Sequence, residues 1–180
     1  MFNQHEIEKG VSLILRGLGT DPKDHNYTET PERYARALKE MFSAQDTEWA
    51  TFEEDYTDFI LLRGHIMWSL CPHHLFPVRF KVSLAYVPAG KVLGLSKLAR
   101  ILEDCNTGPL LQEAFTKRAI SKVHDICEAV QGVACLVEGE HGCLQMRGIR
   151  SNADFVTYRL DGVFTTVPAL ESRFFELARR

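Results

Sequence analysis

The chain is 180 residues long, 45% apolar and 25% charged, with a formal net charge of -3. That length suits one domain with a real core, and the slightly acidic balance argues against duplex nucleic acid as the main partner. No apolar run approaches the ~20 residues that span a bilayer, and "MFNQHEIEKG" lacks the apolar stretch of a signal peptide, so no membrane partner is expected.

In chain order, Ile7, Val11, Ile14, Leu15 and Leu18 recur at helical spacing over residues 4 to 18. The polar "GTDPKDHNYTET" reads as a loop. "TPERYARALKEMF" predicts a helix with Thr30 as N-cap, Pro31 at its first position, and Tyr34, Leu38, Met41 and Phe42 on the apolar face. Residues 44 to 57 are acidic and poorly patterned. "RFKVSLAYV" alternates, with Phe80, Val82, Leu84 and Tyr86 on one face, and predicts a half-buried strand ended by Pro88 and Gly90.

"LSKLARILEDC" predicts a helix N-capped by Ser96, and residues 109 to 131 a longer one with Leu111, Phe115, Ile126 and Val130 inward. "GVACLVEGE" and "HGCLQMRGI" predict two strands with a turn near Gly139. "DFVTYRLDGVF" predicts a further strand, and "PALESRFFELARR" a closing helix begun by Pro168. Strands joined by short turns, with helices grouped between them, predict an α+β fold with an antiparallel sheet.

The five cysteines, Cys71, Cys105, Cys127, Cys135 and Cys143, are odd in number and widely spread. They do not read as a secreted disulfide framework, so a reducing, cytoplasmic compartment is expected. Cys71 and His74 in "SLCPHHLFPV" are spaced so that a short turn can aim both at one ion. His141 and Cys143 are the next candidates, on an expected strand where both would face one way. Cys71, His74 and Cys143 could then bind zinc, leaving His73 and His141 beside it as acid or base. By spacing alone, the same pair also fits a buried turn with a satisfied histidine. Cys105, Cys127 and Cys135 read as core or helix-end residues, and His5, His25, His65 and His124 as solvated or strand-edge residues.

"GLSKLAR" places Leu95, Ser96, Lys97 and Arg100 around a helix start, a setting that suits an anion such as phosphate. Arg147 precedes Gly148, where a ligand could approach the backbone. Gln112 and Glu113 open the long helix, and a carboxylate there can accept two hydrogen bonds from a guanine edge. Each of these motifs, taken singly, also fits a solvated helix turn, and Arg33 a surface arginine.

Taken together and in order, Cys71 with "HHLFPV", "YVPAGKVLGLSKLARILE", "LQEAFTKRAI", "HGCLQMRGIR" and "GVF" at 162 to 164 resemble the GTP cyclohydrolase I family over residues 30 to 178. The resemblance implies the tunnelling (T-) fold, an antiparallel sheet with two helices packed on one face. It divides the chain into an N-terminal helical region, 1–57, and a T-fold catalytic domain, 58–180. It implies zinc on Cys71, His74 and Cys143, with His73, His141 and Ser96 as catalytic residues. GTP would lie on Gln112, Glu113, Leu95, Lys97, Arg100, Arg147 and Arg33. Opening of the purine at C8 would release formate and give 7,8-dihydroneopterin triphosphate. The implied assembly is a homodecamer of two pentamers with sites between subunits.

The chain departs from the family at Pro72, where a glutamate is usual, in "NTGPLL", which lacks an arginine, and in "DFVTYRL". These departures leave open a divergent homologue that turns a purine nucleotide into a different or partly processed product. A non-catalytic zinc protein with four closed ligands is the reading from another class.

Overall fold

The computed structural model describes residues 2–21, 23–43, 48–127 and 129–179. The chain divides into two compact units, Met1–Ser43 and Ala44–Arg180. The first contains helices α1 (Gln4–Gly17) and α2 (Thr30–Phe42). Asn3 caps α1 by accepting the Glu6 N–H at 3.2 Å, with Glu6 in the first turn and Arg16 in the last, as the helix dipole favours. In α2 the expected cap is displaced by one residue: Glu29 is the N-cap, and Thr30 and Pro31 open the helix, where proline's missing N–H leaves no bond unmade.

The second unit is built on a four-stranded sheet in the order β2 (Ile60–Leu70), β3 (Pro77–Pro88), β5 (Val130–His141), β6 (Phe155–Leu160), every pair antiparallel. A small second sheet pairs β1 (Thr51–Glu53) with β4 (Lys91–Leu93). Between β4 and β5 run α3 (Leu95–Cys105) and α4 (Gln112–Ile126). Short helices α5 (Gly142–Gln145) and α6 (Val163–Thr166) follow β5 and β6, and α7 (Pro168–Ala178) closes the chain.

Alternation along the strands sorts the core into two layers. Val78, Phe80, Val82, Leu84 and Tyr86 pair with His141, Gly139, Val137, Cys135 and Val133 across the β3–β5 ladder, so all ten share one face. Helices α3 and α4 cover that face with Leu98, Ile101, Leu102, Phe115, Ala119, Ile120 and Val123. The stacked rings of Phe80 and Phe115, 5.2 Å apart and fully buried, sit at the centre of this layer. The helix pair on one face of an antiparallel sheet is the architecture expected. The opposite face is covered too: Phe164, Phe174 and Ala178 of α6 and α7 pack on Ala85, Val87, Ala134 and Leu136. Beyond that patch it carries the ion pairs Lys81–Glu138 and Arg79–Glu140.

Several boundaries differ from the sequence reading. Strand β2 was not foreseen, because a bulge between Leu62 and His65, with Gly64 at φ 65°, breaks its alternation. The acidic segment around 44 to 57 contains β1; residues 44–47 lie outside the described residues. Gly94, not Ser96, precedes α3, which leaves Ser96 inside the first turn. Helix α4 is shorter than 109 to 131, because Leu111 and Cys127 at its ends are extended; residue 128 lies outside the described residues.

The largest correction is at Gly139. No turn forms there: β5 runs on to His141, and Gly139 pairs with Phe80 on one side and Phe155 on the other. The chain then enters α5, so Cys143 lies on a helix turn and Arg147 in the bend after it, neither on a strand. Among the described residues no helix is long and apolar enough to cross a membrane.

Candidate metal centre and active site

The centre is assembled where β2 and β5 end side by side on β3. After Leu70 the chain makes a tight loop. The Cys71 N–H donates to the Phe76 carbonyl, and the Leu75 N–H donates back to the Cys71 carbonyl, both at 2.9 Å. Leu75 takes a left-handed φ of 54°, a sparsely populated conformation for a leucine that this doubly bonded loop holds in place. Cys71 is buried and His74 exposed, and the loop brings Cys71 Sγ to 3.7 Å from His74 Nδ1.

Cys143 joins them from the first turn of α5. Gly142 makes this possible: a Cβ there would lie 2.8 Å from the Pro77 carbonyl oxygen, so only glycine lets α5 approach the start of β3 so closely. The ligand atoms of Cys71, His74 and Cys143 all lie within 4.8 Å of one another. For zinc–sulfur and zinc–nitrogen bonds of about 2.3 and 2.0 Å, tetrahedral geometry separates the two donors by about 3.5 Å. The observed 3.7 Å between Cys71 and His74 lies close to that separation. Burial, and then the adjoining Cys71 thiol, push the Cys143 thiol above its ordinary pKa. A divalent cation between the two sulfurs would reverse that balance by favouring both thiolates. The trio can hold a metal.

Beside the trio opens a cavity of about 260 Å³, lined among others by Cys71, His73, Gln112, Glu113, His141 and Phe155. His73 Nδ1 is 4.0 Å from Cys71 Sγ, and its ring is exposed. His141 ends β5, with its ring edge-on to Phe155 at 5.6 Å. Burial holds His141 below the usual histidine pKa, and the nearby Glu113 charge offsets this in part. Glu113, in the first turn of α4, is exposed at the cavity. Gln112 is buried, 4% exposed, and its side-chain oxygen lies 2.8 Å from His141 Nε2.

Sequence-derived candidates thus divide into two sets. Cys71, His73, His74, Gln112, Glu113, His141 and Cys143 come together, and Arg147 joins through a guanidinium contact with His74 Nε2. Leu95, Ser96, Lys97 and Arg100 lie on α3 and do not line this cavity; Lys97 donates to the Glu48 carbonyl, and Leu95 is 87% exposed. Arg33 lies on α2 of the first unit, paired with Glu29. Sequence reasoning missed Phe155 and Thr157, which reach the cavity from β6. Their alternation could have flagged a shared face, but only the β5–β6 register places that face over Gln112.

A sequence model of the family "GTP cyclohydrolase I" matches residues 7–179. This chain belongs to the GTP cyclohydrolase I family. It is 39% identical to the GTP cyclohydrolase 1 of Clostridium perfringens (strain 13 / Type A), over 98% of each chain. With that of Rhodopirellula baltica it shares 39% identity over 97% of this chain and 78% of the relative. With that of Drosophila melanogaster it shares 38% over 96% of this chain and 55% of the relative. The α+β sheet with its layered helix pair is the tunnelling fold of the GTP cyclohydrolase I family, and the Cys-His-Cys trio lies within the matched residues.

Proposed function

We propose that this GTP cyclohydrolase I hydrolyses and rearranges GTP to 7,8-dihydroneopterin triphosphate and formate, with zinc at Cys71, His74 and Cys143. The observation that carries the reading is the trio itself, three donors within 4.8 Å beside a cavity that also holds His73, His141 and Glu113. Three protein ligands leave a fourth position for water, the mark of a catalytic rather than a structural zinc site. A zinc ion held there supplies Lewis acidity and a nucleophile from water near neutral pH.

The chain's own groups supply the rest. Glu113, a carboxylate in the first turn of α4, accepts hydrogen bonds from the guanine edge and sets the orientation of the ring. His73 and His141 flank the trio and move protons to and from the purine nitrogen and the opened ring. Lys97, Arg100, Arg147 and Arg33 take the triphosphate, with Leu95 and Ser96 against the sugar.

A homo-oligomer completes the site in this reading. The cavity of about 260 Å³ lies below the roughly 300–1,000 Å³ of most small-molecule clefts, and Leu95, Ser96, Lys97 and Arg100 do not line it. The sheet also ends in two open edges with exposed apolar residues, Ile66 and Trp68 on β2 and Val156 and Tyr158 on β6. Joining β6 of one subunit to β2 of the next satisfies both edges and closes a ring. We take that ring, by the family resemblance, as a pentamer and the assembly as a decamer, in a reducing cytoplasm that keeps the thiols free.

The test is GTP turnover by metal-analysed protein with product identification. Formate together with a product that oxidises to a fluorescent pterin is the expected outcome. Formate without that pterin would point to a partly processed product. No turnover, with a metal held by four protein ligands, would point to a structural site.

A further inference from the structure

We propose that Gln112, Gly139 and Thr157 are positioning residues that hold the His141 ring in one orientation and one tautomer, and that Gln112 does this in place of contacting the substrate. The proposal rests on the reading of His141 as a proton carrier and adds how its direction of transfer is set.

The hydrogen bonds leave little freedom. Gln112 Nε2 has two hydrogens and three acceptors in reach: the Val137 carbonyl at 3.0 Å, the Phe155 carbonyl at 2.9 Å and Thr157 Oγ1 at 3.2 Å. A flipped amide would set its oxygen against two carbonyl oxygens, so the nitrogen faces the sheet and Oε1 faces His141. Thr116 Oγ1 donates to the Gln112 backbone carbonyl at 2.8 Å, which uses the Thr116 hydrogen. Thr157 Oγ1, 2.7 Å from Thr116 Oγ1, must then donate to it and accept from Gln112. The circuit returns to the residue where it began, and the two Gln112 hydrogens are shared among three acceptors on the sheet side.

One partner remains outside the circuit. Gln112 Oε1 is an acceptor only, and it sits 2.8 Å from His141 Nε2. The hydrogen between them belongs to the imidazole. The neutral imidazole tautomer that fits this contact has its hydrogen on Nε2 and its lone pair on Nδ1.

Gly139 makes room for the arrangement. It lies two residues before His141 on the same sheet face, directly under the amide. A Cβ there would overlap Gln112 Oε1 and lie 2.9 Å from Cδ and 3.0 Å from His141 Nε2. No side chain fits without displacing the amide, the ring or both. A glutamine that merely pinned α4 to the sheet would need neither the glycine nor the histidine.

The test compares Thr157→Val, which keeps the shape and removes the hydroxyl, with Thr157→Ser, which keeps the hydroxyl, alongside Gly139→Ala. Thr157→Val and Gly139→Ala should lower kcat by about 10- to 100-fold, the usual range for a group that orients a reacting side chain. KM for GTP and metal content should stay near wild type, and Thr157→Ser should restore kcat. Neutron diffraction of the wild type should show hydrogen on His141 Nε2, and of Gln112→Met, which removes the acceptor, a mixture of tautomers. Wild-type kcat in Thr157→Val, equal losses in Val and Ser, a KM effect in place of a kcat effect, or hydrogen on Nδ1 in the wild type would each overturn the proposal. Were the wild type to turn over no GTP, the activity reading would fail, and the neutron maps would still decide the tautomer.

Discussion

Arg173 of α7 donates to the Asp58 carboxylate at 2.7 Å, 115 positions earlier and just ahead of β2. The same carboxylate accepts the Phe59 N–H at 2.8 Å. The Phe59 backbone bond, and after it Arg173, hold the Asp58 pKa below its ordinary value against an opposing contribution from burial. A depressed carboxylate stabilises the fold above its unfolded pKa of about 3.9 and loses that contribution as pH falls through the folded value. Asp58→Asn should therefore lower the melting temperature at neutral pH. The gap from wild type should close in strong acid. Thermal melts across pH 2 to 8 check this, and a gap independent of pH would refute it.

Phe80 and Phe115 join the sheet to α4 one helical turn from Gln112. Both rings are fully buried, so Phe115→Ala leaves a cavity that the flanking Leu102 and Val123 cannot fill without moving. Urea unfolding should register a loss of about 3–5 kcal/mol. Activity should fall further than the folded fraction does, because α4 also carries Gln112 and Glu113.

Metal removal should change thiol chemistry in a defined pattern. Burial pushes the Cys105 thiol up to about 12 and the Cys127 thiol to about 11, and raises Cys135 as well. These three should resist alkylation in the folded protein. Cys71 and Cys143 should label only after chelation, and all five of the chain's cysteines only after denaturation. Counting adducts by intact mass distinguishes the states. Labelling of Cys71 at full metal occupancy would contradict its role as a ligand.

Glu113→Gln tests the guanine anchor. Removal of one charged acceptor should raise KM for GTP by about 10- to 100-fold. Exposure of the side chain means that the melting temperature should hardly move. Steady-state kinetics beside a thermal melt separate the two, and unchanged KM would remove Glu113 from the substrate contacts.

Trp68, 51% exposed on the edge strand β2, tests the ring. Trp68→Glu sets a charge where a neighbouring β6 would dock, and should give smaller species on sedimentation with the circular dichroism of the fold retained. Wild-type mass in the variant would place the interface elsewhere.

Cys71, His74 and Cys143 were legible as a candidate trio from residue type together with the family resemblance, since their spacing alone also fits a satisfied turn. The geometric reason was wrong: Cys143 faces Cys71 from a helix turn, not from a strand face shared with His141. Gly139 illustrates why. Read alone, glycine suggests a turn; in the fold it is a strand residue without a side chain because Gln112 occupies the space. The amphipathic helices and β3 were legible from periodicity. Strand β2 was not, since its bulge shifts the phase midway. The role of Thr157 is invisible without the β5–β6 register, which brings it to a helix 41 positions away.

The bulge at Gly64 also limits what can add to the sheet. Beyond it, only His65 to Leu70 run in unbroken register along β2. A long flat edge would accept almost any passing strand, and repeated additions of that kind grow fibrils. A short edge with a twisted end discriminates, because an incoming strand gains few backbone bonds and must bring side chains that suit Ile66 and Trp68. The irregularity that hid β2 from the pattern thus also shortens the regular edge open to strand addition.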